Sequence, residues 1–475
     1  MSAVIKADLC VIGAGSAGLS IAAGAAQMGA RTVLVEAARM GGDCLNTGCV
    51  PSKALLAAAK AAQDAREAQK FGVFAQGLSI DFAAAQKHVR ETIAAIAPHD
   101  SVERFNGLGC TVIQARARFI DGRTVEAGDK FVRAKKFVVA TGSRAAAPPI
   151  PGLADVPYFT NETIFENKVA PSRLLVIGAG PIGCEMAQAH RRLGAEVTLI
   201  DIGPMLPKDD PEAVAAVRAK FLAEGIKLFE TAEILRAEKS GDGIALVLAG
   251  EAGEFLVEGS HLLVAAGRKV NVENLGLEAA GVKYSAKGVE TDARLRSSNP
   301  RIFAAGDVAG SYQFTHLAAH HAGIVLRNAL FRLPAKASTR AMPWVTYTDP
   351  ELAQVGLTEP QAHVAHKGDL RVLRADFADN DRARAEKATE GFVKVMVGRR
   401  GAILGCTIVG PGAGDLIQPW VLAMSQGLKI GALASMVAPY PTLGEINKRA
   451  AGAYYTPKLF SPRTRKLVRF LGLFG

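Results

Sequence analysis

Short apolar runs alternate with glycine turns and Ala-rich stretches at two places in the chain. Residues 7–12 form the first apolar run, and a glycine turn and an Ala-rich stretch follow it to about Gly29. Residues 32–35 form a second apolar run that ends at Glu36. Uninterrupted apolar runs of this length predict buried strands of a parallel sheet, and the stretch between them predicts a helix. The pattern therefore predicts a βαβ unit.

The turn after the first strand has the composition of a dinucleotide-binding turn. Pyrophosphate can rest on a helix N-terminus because the free N–H groups and the helix dipole favour anions. Glycines in the turn leave room for that approach. Glu36 lies 23 positions after Gly13, where a carboxylate can accept both ribose hydroxyls. A ligand-free strand–helix turn is the alternative, but strand, helix and acid together favour a nucleotide site formed by Gly13, Gly15, Ser16, Gly18 and Glu36.

The same pattern recurs from residue 173. An apolar run at residues 173–177 leads into a second glycine turn and a helix to about Gly194, and the next apolar run ends at Asp201. Asp201 again lies 23 positions after the first glycine of the turn. An acid here favours a free ribose 2′-hydroxyl, so we predict NADH rather than NADPH. The predicted second site consists of Gly178, Gly180, Gly183 and Asp201.

Two of the six cysteines, Cys44 and Cys49, lie close together in the sequence. In a regular helix they would be about 140° apart around the axis and about 7.5 Å apart along it. A disulfide between them therefore requires a distorted segment, for which Gly48 and Pro51 are suited. Two unrelated core cysteines are the weaker interpretation. The other four stand among apolar neighbours and are predicted to be core residues: Cys10, Cys110, Cys184 and Cys406.

The segment from Gly41 to Lys53 resembles the redox signature of the class I flavoprotein disulfide reductases, a family that includes dihydrolipoamide dehydrogenase, glutathione reductase and mercuric reductase. The resemblance implies FAD at the first site and NAD at the second. It implies that Cys44 attacks the substrate disulfide and that Cys49 lies against the flavin. It also implies an ion pair beside the flavin between Lys53 and Glu185. A lysine and a helix N-terminus suit this role because both stabilise thiolates.

Further segments carry the resemblance to about Gly452. Thr141 and Gly142 lie in a segment that resembles the close of the first half of the FAD domain, and Gly267 lies at the corresponding end of the NAD domain. Residues 301–308 resemble the second FAD fingerprint, in which Asp307 would bind the ribityl chain. The short β-rich runs after residue 341 resemble the dimerisation domain of the family.

These motifs predict an α/β protein with two Rossmann-like dinucleotide-binding domains, for FAD and NAD, and a C-terminal α+β dimerisation domain. The NAD domain is expected to interrupt the FAD domain. We expect a homodimer whose active site is shared between subunits. The predicted divisions are 1–155 and 281–340 for FAD, 156–280 for NAD, 341–456 for dimerisation and 457–475 for a basic amphipathic tail.

The chain departs from the family at Tyr440, where the family has a catalytic histidine; Glu445 of the same motif is kept. A tyrosine, with a pKa of about 10, is a poor base at neutral pH. Three interpretations stay open. Tyr440 acts as a weaker acid on a substrate with a good leaving group, or the substrate is not a dithiol. Alternatively, a nearby histidine substitutes, from among His316, His320 and His321.

The resemblance predicts an enzyme that passes electrons from NADH through FAD and Cys44–Cys49 to a small-molecule or protein-bound disulfide. Three alternatives remain: reduction of a metal ion as in mercuric reductase, reduction of a quinone by the flavin, and a flavoprotein component of a larger assembly. Mercuric reductase uses a cysteine pair near its C-terminus, whereas no cysteine follows Cys406 here. Mercury reduction by that route is therefore disfavoured.

The net charge of +11 is compatible with phosphate-rich cofactors, nucleic acid or anionic membranes. No nucleic-acid motif is present and aromatics are sparse, so we predict no nucleic-acid partner. No apolar run reaches the ~20 residues that span a bilayer, which predicts a cytoplasmic protein. The tail places Leu467, Leu471 and Phe474 on one helical stripe with Phe470 beside it. A helix lying on an anionic membrane surface and a helix packed on its own dimer both fit this pattern.

Overall fold

The computed structural model describes residues 4–250, 253–366 and 368–474, which form two compact units. The first unit comprises the described residues up to Ile202 together with Leu228–Ser338. The second comprises Gly203–Lys227 and the described residues from Thr339 onward. The predicted α/β architecture is confirmed. The predicted domain boundaries stay a prediction.

Strands of the first unit form a large sheet, a four-stranded sheet, a three-stranded antiparallel sheet and two two-stranded sheets. Their bounds are β1 Val4–Ile12, β2 Thr32–Glu36, β3 Cys110–Gln114, β4 Ala117–Asp121, β5 Thr124–Ala127, β6 Lys130–Val139, β7 Ser143–Ala145, β8 Arg173–Ile177, β9 Glu196–Ile200, β10 Lys227–Phe229, β11 Ile234–Ser240, β12 Gly243–Gly250, β13 Gly253–Gly259, β14 His261–Val264, β15 Arg268–Val270, β16 Tyr284–Ser285, β17 Gly288–Val289 and β18 Ile302–Ala304. The helices are α1 Ser16–Gln27, α2 Gly42–Asn46, α3 Cys49–Glu67, α4 Phe82–Ile96, α5 Val102–Gly107, α6 Pro181–Arg192 and α8 Thr315–Ala329. The three-stranded sheet is β11-β12-β13, and the two-stranded sheets pair β7 with β15 and β16 with β17.

The large sheet has the strand order β3-β2-β1-β6-β5-β4, and β18 also pairs with β6. Strands β3, β2, β1, β6 and β18 are parallel, whereas β4 and β5 are antiparallel additions at one side. Apolar side chains are buried on both faces: Ile12 and Val35 pack on one, Val11 and Leu34 on the other. This explains why β1 and β2 are continuously apolar.

The four-stranded sheet has the order β10-β9-β8-β14, in which β9, β8 and β14 are parallel, and it repeats the strand–turn–helix arrangement through α6. The prediction that four cysteines are core residues is confirmed, because Cys10, Cys110, Cys184 and Cys406 are all buried. Cys44 is half-buried and Cys49 is exposed. The two types of cysteine predicted from the sequence therefore differ in burial as expected.

The second unit contains a five-stranded antiparallel sheet in the order β19-β20-β23-β22-β21. Its strands are β19 Pro343–Thr346, β20 Glu351–Gly356, β21 Arg371–Asp376, β22 Phe392–Val397 and β23 Ile403–Gly410. The helices are α7 Pro211–Ala223, α9 Glu359–Ala365, α10 Asp381–Ala385, α11 Ala413–Leu416, α12 Gln418–Ser425, α13 Ile430–Ala434, α14 Glu445–Gly452, α15 Thr456–Leu459 and α16 Pro462–Leu471. Buried Trp420 and Phe377 belong to its apolar core.

The predicted tail helix is α16, which Ser461 caps through its side chain. No side chain of α15 or α16 is buried. The helix ends at Leu471, so the expectation that Phe474 lies on the helical stripe is wrong. Gly475, the last residue of the predicted tail, lies outside the described residues. Across the ranges described, no helix is both long and apolar enough to cross a membrane.

Candidate active site

The first glycine turn connects β1 to α1 and is closely packed on its inner side. Gly13 has a φ of +104°, and a Cβ there would lie 2.3 Å from the carbonyl oxygen of Ala140. A Cβ on Gly18 would lie 1.8 Å from the carbonyl oxygen of Gly13. Both positions therefore require glycine. Gly15, by contrast, precedes α1, and its Cβ would meet only one carbon, at 3.8 Å.

The second glycine turn has the same construction. A Cβ on Gly178 (φ +108°) would lie 2.5 Å from the Ala265 carbonyl oxygen, and one on Gly183 would lie 1.7 Å from the Gly178 carbonyl oxygen. At Gly180 a Cβ would meet nothing within 4 Å. Open space therefore lies beside the N-terminus of α1, at Gly15, and beside the N-terminus of α6, at Gly180. A pyrophosphate at each would meet unobstructed backbone N–H groups.

Glu36 and Asp201 occupy equivalent positions at the two turns. The carboxylate of Glu36 accepts the N–H of Ala14 at 2.5 Å and the N–H of Ala38 at 2.7 Å. The carboxylate of Asp201 accepts the N–H of Ala179 at 2.6 Å. Each acid is therefore held against its own glycine turn. This is where a carboxylate must lie to reach the ribose of a dinucleotide.

The segment with the two cysteines departs from regular helix between them. Helix α2 contains Cys44 and ends at Asn46, and α3 begins at Cys49. Between the helices, Gly48 has a φ of −127° and a ψ of −111°, which is the distortion predicted from the spacing. Pro51 does not contribute to this break. It is the third residue of α3, where its missing N–H costs no helical hydrogen bond.

The two thiols differ in their electrostatic surroundings. A hydrogen bond from Cys44 is the main factor that lowers the pKa of Cys49 to about 6, and the hydroxyl of Thr315 and the charge of Lys53 act in the same direction. The distance from Cys49 Sγ to Thr315 Oγ1 is 3.3 Å. The same hydrogen bond, together with burial, raises the pKa of Cys44. Cys49 is therefore the thiolate of the reduced pair at neutral pH, and it begins a 19-residue helix.

Lys53 and Glu185 form the ion pair that the resemblance implies. The Nζ of Lys53, one turn after Cys49 on α3, lies 2.7 Å from Oε2 of Glu185 on α6. The side chain of Glu185 is only 6% exposed and that of Lys53 is 37% exposed. Since α6 also starts at the second glycine turn, this pair links the cysteine helix to the second dinucleotide site.

Asp43 makes a set of contacts that the sequence patterns do not predict. One oxygen of its carboxylate accepts the Thr47 hydroxyl at 2.5 Å and the Asn161 amide at 3.2 Å, and the other lies 2.9 Å from the guanidinium of Arg268. The position of Asp43 directly before Cys44 could have indicated a role near the thiols. Asn161 and Arg268 gave no signal, because the fold alone brings these distant residues to Asp43.

Thr141, Gly142, Gly267 and Asp307 lie near the carboxyl ends of β6, β14 and β18. The Thr141 hydroxyl donates to the carbonyl of Asn271 at 2.7 Å, and the carboxylate of Asp307 accepts the Ser143 hydroxyl at 2.5 Å. Burial raises the pKa of Asp307. Gly142 and Gly267 both have positive φ, of 65° and 143°. Strand β18 pairs with β6, and this pairing brings Asp307 to the end of the sheet where the first glycine turn lies.

Residues 7–322 match the family model of the pyridine nucleotide-disulphide oxidoreductases, and residues 342–451 match the dimerisation domain of that family. The chain belongs to this family. Mercuric reductase of Streptomyces lividans is 37% identical over 458 residues, which cover 94% of this chain and 96% of that protein. Dihydrolipoyl dehydrogenase of Chlamydia trachomatis is 32% identical over 471 residues, covering 97% and 99%.

Solved structures of flavoprotein reductases are similar along nearly the whole chain. LpdA of Mycobacterium tuberculosis superposes with a TM-score of 0.86 at 26% identity, covering 94% of this chain and 99% of that one. The flavoprotein disulfide reductase RclA of Escherichia coli superposes with a TM-score of 0.83 at 25% identity and the same coverage. The protein is thus an FAD-dependent pyridine nucleotide-disulphide oxidoreductase, and its dimerisation domain supports a homodimer.

The described residues fit the two cofactors of the family. The open positions at Gly15 and Gly180 leave space for two dinucleotides, and each turn has its own acid. FAD supplies the two-electron link between a nicotinamide and a disulfide. We predict that Gly13, Gly15, Ser16, Gly18, Glu36, Thr141, Gly142 and Asp307 hold FAD, and that Gly178, Gly180, Gly183, Asp201 and Gly267 hold NAD.

Tyr440 and Glu445 lie in the second unit. Tyr440 is 72% exposed, and its hydroxyl donates to Asp381 at 3.1 Å, a contact that raises the pKa of the tyrosine above its usual range. Glu445 is the first residue of α14 and accepts the N–H of Thr442. Of the three histidines considered as substitutes, His321 is buried and accepts the N–H of Gly306. Burial lowers the pKa of His321 to about 4, so it does not serve as a base at neutral pH.

Proposed function

We propose that this oxidoreductase reduces, at the expense of NADH, a disulfide whose leaving thiol has a low pKa. Bound FAD would supply the two-electron link from the nicotinamide to the Cys44–Cys49 disulfide, and Cys44 would pass the electrons to the acceptor. The observation that carries this proposal is the state of Tyr440. Its hydroxyl is bound to Asp381 and its pKa is raised, so near pH 7 it is a poorer proton donor and acceptor than a histidine. A low-pKa thiol leaves as a thiolate without a proton donor.

The thiols of the chain perform the exchange in two steps. Cys44, as a thiolate, attacks one sulfur of the acceptor disulfide, forming a mixed disulfide and releasing the first acceptor thiolate. The Cys49 thiolate then attacks the sulfur of Cys44, releasing the second acceptor thiolate and restoring the Cys44–Cys49 disulfide. The low pKa of Cys49 supports the second step, because a thiolate is the attacking species. Cys44 must lose its proton before the first step, and this proton passes to solvent, because Cys49 with a pKa of about 6 is the weaker base of the two and has to stay a thiolate for the second step.

The preference for NADH rests on Asp201. Its carboxylate is held at the second glycine turn by the N–H of Ala179, where it would accept a ribose 2′-hydroxyl and repel a 2′-phosphate. The expected result is a higher kcat/KM with NADH than with NADPH.

A metal ion is the second candidate acceptor. The mercuric reductases among the relatives favour it, and so does Tyr440, since thiolate-bound metal ions need no base for a departing thiol. Mercury transfer in the family is associated with a C-terminal cysteine pair, whereas between Cys406, which is buried, and residue 475 there is no cysteine.

Tyr440→His tests the proposed acceptor class. We expect this variant to raise dihydrolipoamide oxidation by roughly a hundredfold, the usual contribution of a positioned acid or base. Reduction of an aromatic disulfide with a low-pKa thiol should stay unchanged. Steady-state rates with both substrates check this, with Tyr158→His, another exposed tyrosine, as the control. Equally poor dihydrolipoamide turnover in Tyr440→His would show that Tyr440 is not the reason for it.

We also propose that the tail binds the surface of an anionic membrane. Residues 446–474 contain no acid, and five cations lie from Lys458 to Arg469. Leu467, Val468, Phe470 and Leu471 are all more than half exposed on α16. A basic helix with exposed apolar side chains suits an anionic lipid surface, where each cation adds about 1 kcal/mol.

Vesicle sedimentation tests the tail. At low salt we expect the full-length protein to sediment with phosphatidylserine-containing vesicles and not with phosphatidylcholine vesicles. Replacing Arg463, Arg465, Lys466 and Arg469 with glutamine should abolish this binding. The control variant loses four exposed cations elsewhere, Lys87, Arg90, Arg116 and Lys239. Failure of the unaltered protein to bind anionic vesicles would contradict the proposal and favour a helix packed on its own dimer.

A further inference from the structure

A polar cleft of about 320 Å³ lies on the first unit, away from the cysteines. It is lined by three arginines, one asparagine, one aspartate and a glycine: Arg123, Arg133, Arg301, Asn299, Asp121 and Gly122. The volume is at the lower end of the range for small-molecule sites, about 300–1,000 Å³. The lining carries a formal charge of +2, from three arginines against one aspartate. Its size and charge both suit a small anion.

Three separate segments of the fold bring the arginines together. Arg123 lies in the turn between β4 and β5, and Arg133 lies on β6, paired with Thr124 of β5. Arg301 directly precedes β18, which pairs with β6 from Phe137 onward. Strand pairing therefore brings the three cations together, with Arg133 on β6 itself and Arg123 and Arg301 each directly next to a paired strand.

The positive charge of this region is not balanced locally. Among the residues that the structure describes, no carboxylate lies within ion-pair distance of the guanidinium groups of Arg123, Arg133 or Arg301. Arg118, on the same hairpin, does have such a partner in Glu126, at 3.4 Å. The one acid in the cleft, Asp121, accepts the backbone N–H of Arg123 at 2.7 Å.

Neighbouring Lys136 gives a second indication of unbalanced charge. Its Nζ donates to the carbonyl of Pro300 at 2.9 Å. Burial lowers the pKa of Lys136, and the charges of Arg301, Arg296 and Arg332 lower it further. Repulsion among cations at this surface would be relieved by a bound anion.

The cleft is distinct from the sites predicted for FAD and NAD. Arg133 lies six residues before Val139 along β6, which corresponds to about 20 Å of extended strand. Val139 lies beside Ile12, the residue before the first glycine turn. The cleft and the FAD turn are therefore at opposite ends of the same parallel strands.

We propose that this cleft binds a small molecule with two linked phosphate groups. Arginine pairs with phosphate through two parallel N–H···O bonds, and three guanidinium groups on separate segments can hold more than one phosphate. Pyrophosphate and the diphosphate of a nucleotide share this chemistry. Binding here is independent of the acceptor proposed for Cys44.

Calorimetric titration of the FAD-loaded protein tests the proposal. NAD⁺ is kept saturating so that the second glycine turn does not compete for the anion. The probes are pyrophosphate, ADP and orthophosphate. The test variant is Arg133→Gln/Arg301→Gln, and the matched control is Arg116→Gln, an exposed arginine outside the cleft. Arg123→Gln serves as a milder variant if the double variant unfolds.

We expect the unaltered protein and Arg116→Gln to bind pyrophosphate equally. The dissociation constant of the double variant should be higher by roughly tenfold or more, because charged hydrogen bonds are lost. If ADP binds more tightly than pyrophosphate, and this binding is also lost in the double variant, the natural ligand is a nucleotide. If ADP and pyrophosphate bind equally, the cleft recognises only the diphosphate group. The proposal is overturned if the unaltered protein binds no pyrophosphate, if all variants bind it equally, or if orthophosphate binds as tightly.

Discussion

Serine at either Cys44 or Cys49 should lower NADH-dependent disulfide reduction by about a thousandfold or more, because the exchange needs two thiols and a hydroxyl is not a nucleophile at neutral pH. Steady-state assays with an aromatic disulfide measure the loss. Cys110→Ser is the control, since Cys110 is a buried thiol that donates to the carbonyl of Ala22 at 3.5 Å, and a serine hydroxyl can keep that hydrogen bond.

The same variants separate disulfide reduction from direct reduction of an acceptor by the flavin. Ferricyanide takes electrons without thiol exchange, so its reduction should survive in both single variants and in Cys44→Ser/Cys49→Ser. A physiological acceptor that the double variant reduces at the full rate would contradict the proposed path through the thiols. It would favour the quinone alternative, in which the cysteines take no part.

Local patterns predicted the parts of the site that lie within short stretches of sequence. The two glycine turns and their acids were predictable because each turn, helix and strand is contiguous, and an equal spacing of 23 residues follows from equal geometry. The break at Gly48 followed from helix geometry alone. Buried strands were also predictable, since parallel strands covered on both faces are continuously apolar.

Contacts between distant segments could not be predicted in this way. Thr315 lies 266 residues from Cys49 in the sequence, and a threonine at the first position of a helix has many ordinary roles. Arg268 reaches Asp43 only because the fold brings the two segments together. The negative charge of Asp43 raises the pKa of Cys49, whereas the positive charge of Lys53 lowers it. The ion pair between Lys53 and Glu185 was predicted only from the family resemblance, and no local pattern in the sequence indicates it.

Lys53→Met should raise the pKa of Cys49 from about 6 toward its ordinary value near 9, because the charge of Lys53 helps to hold it down. The rate of alkylation of reduced Cys49 by iodoacetamide follows the thiolate, so its pH midpoint should move upward. Lys60→Met is the matched control, a lysine on the same helix that pairs with exposed Asp64. Lys53→Arg should keep the low midpoint, and Thr315→Val should raise it through loss of the hydroxyl contact.

The low pKa of Cys49 should also make the reduced protein more stable at high pH than at low pH, and Lys53→Met should weaken this dependence. A folded-state pKa of about 6 against an ordinary 9 means that the folded protein binds fewer protons than the unfolded chain between these values. Stability from this thiol is therefore present in full above pH 9 and is lost as pH falls through 6. The raised pKa of Cys44 acts only above its ordinary value and does not offset this gain below pH 9. Urea unfolding of the reduced protein at pH 6 and pH 8 measures the difference, which Lys53→Met should diminish.

Lys53→Met should also destabilise the fold at neutral pH, because Glu185 keeps a buried charge after losing the cation beside it. We expect a loss of about 2 kcal/mol, less than the 3–5 kcal/mol of a fully buried pair, because water reaches part of Lys53. Adding Glu185→Gln should recover most of that loss, since an amide is less costly to bury than a carboxylate. It should not restore the low pKa of Cys49, because the charge near the thiol is still missing. If the double variant recovered both, the ion pair would act on Cys49 only by positioning α3.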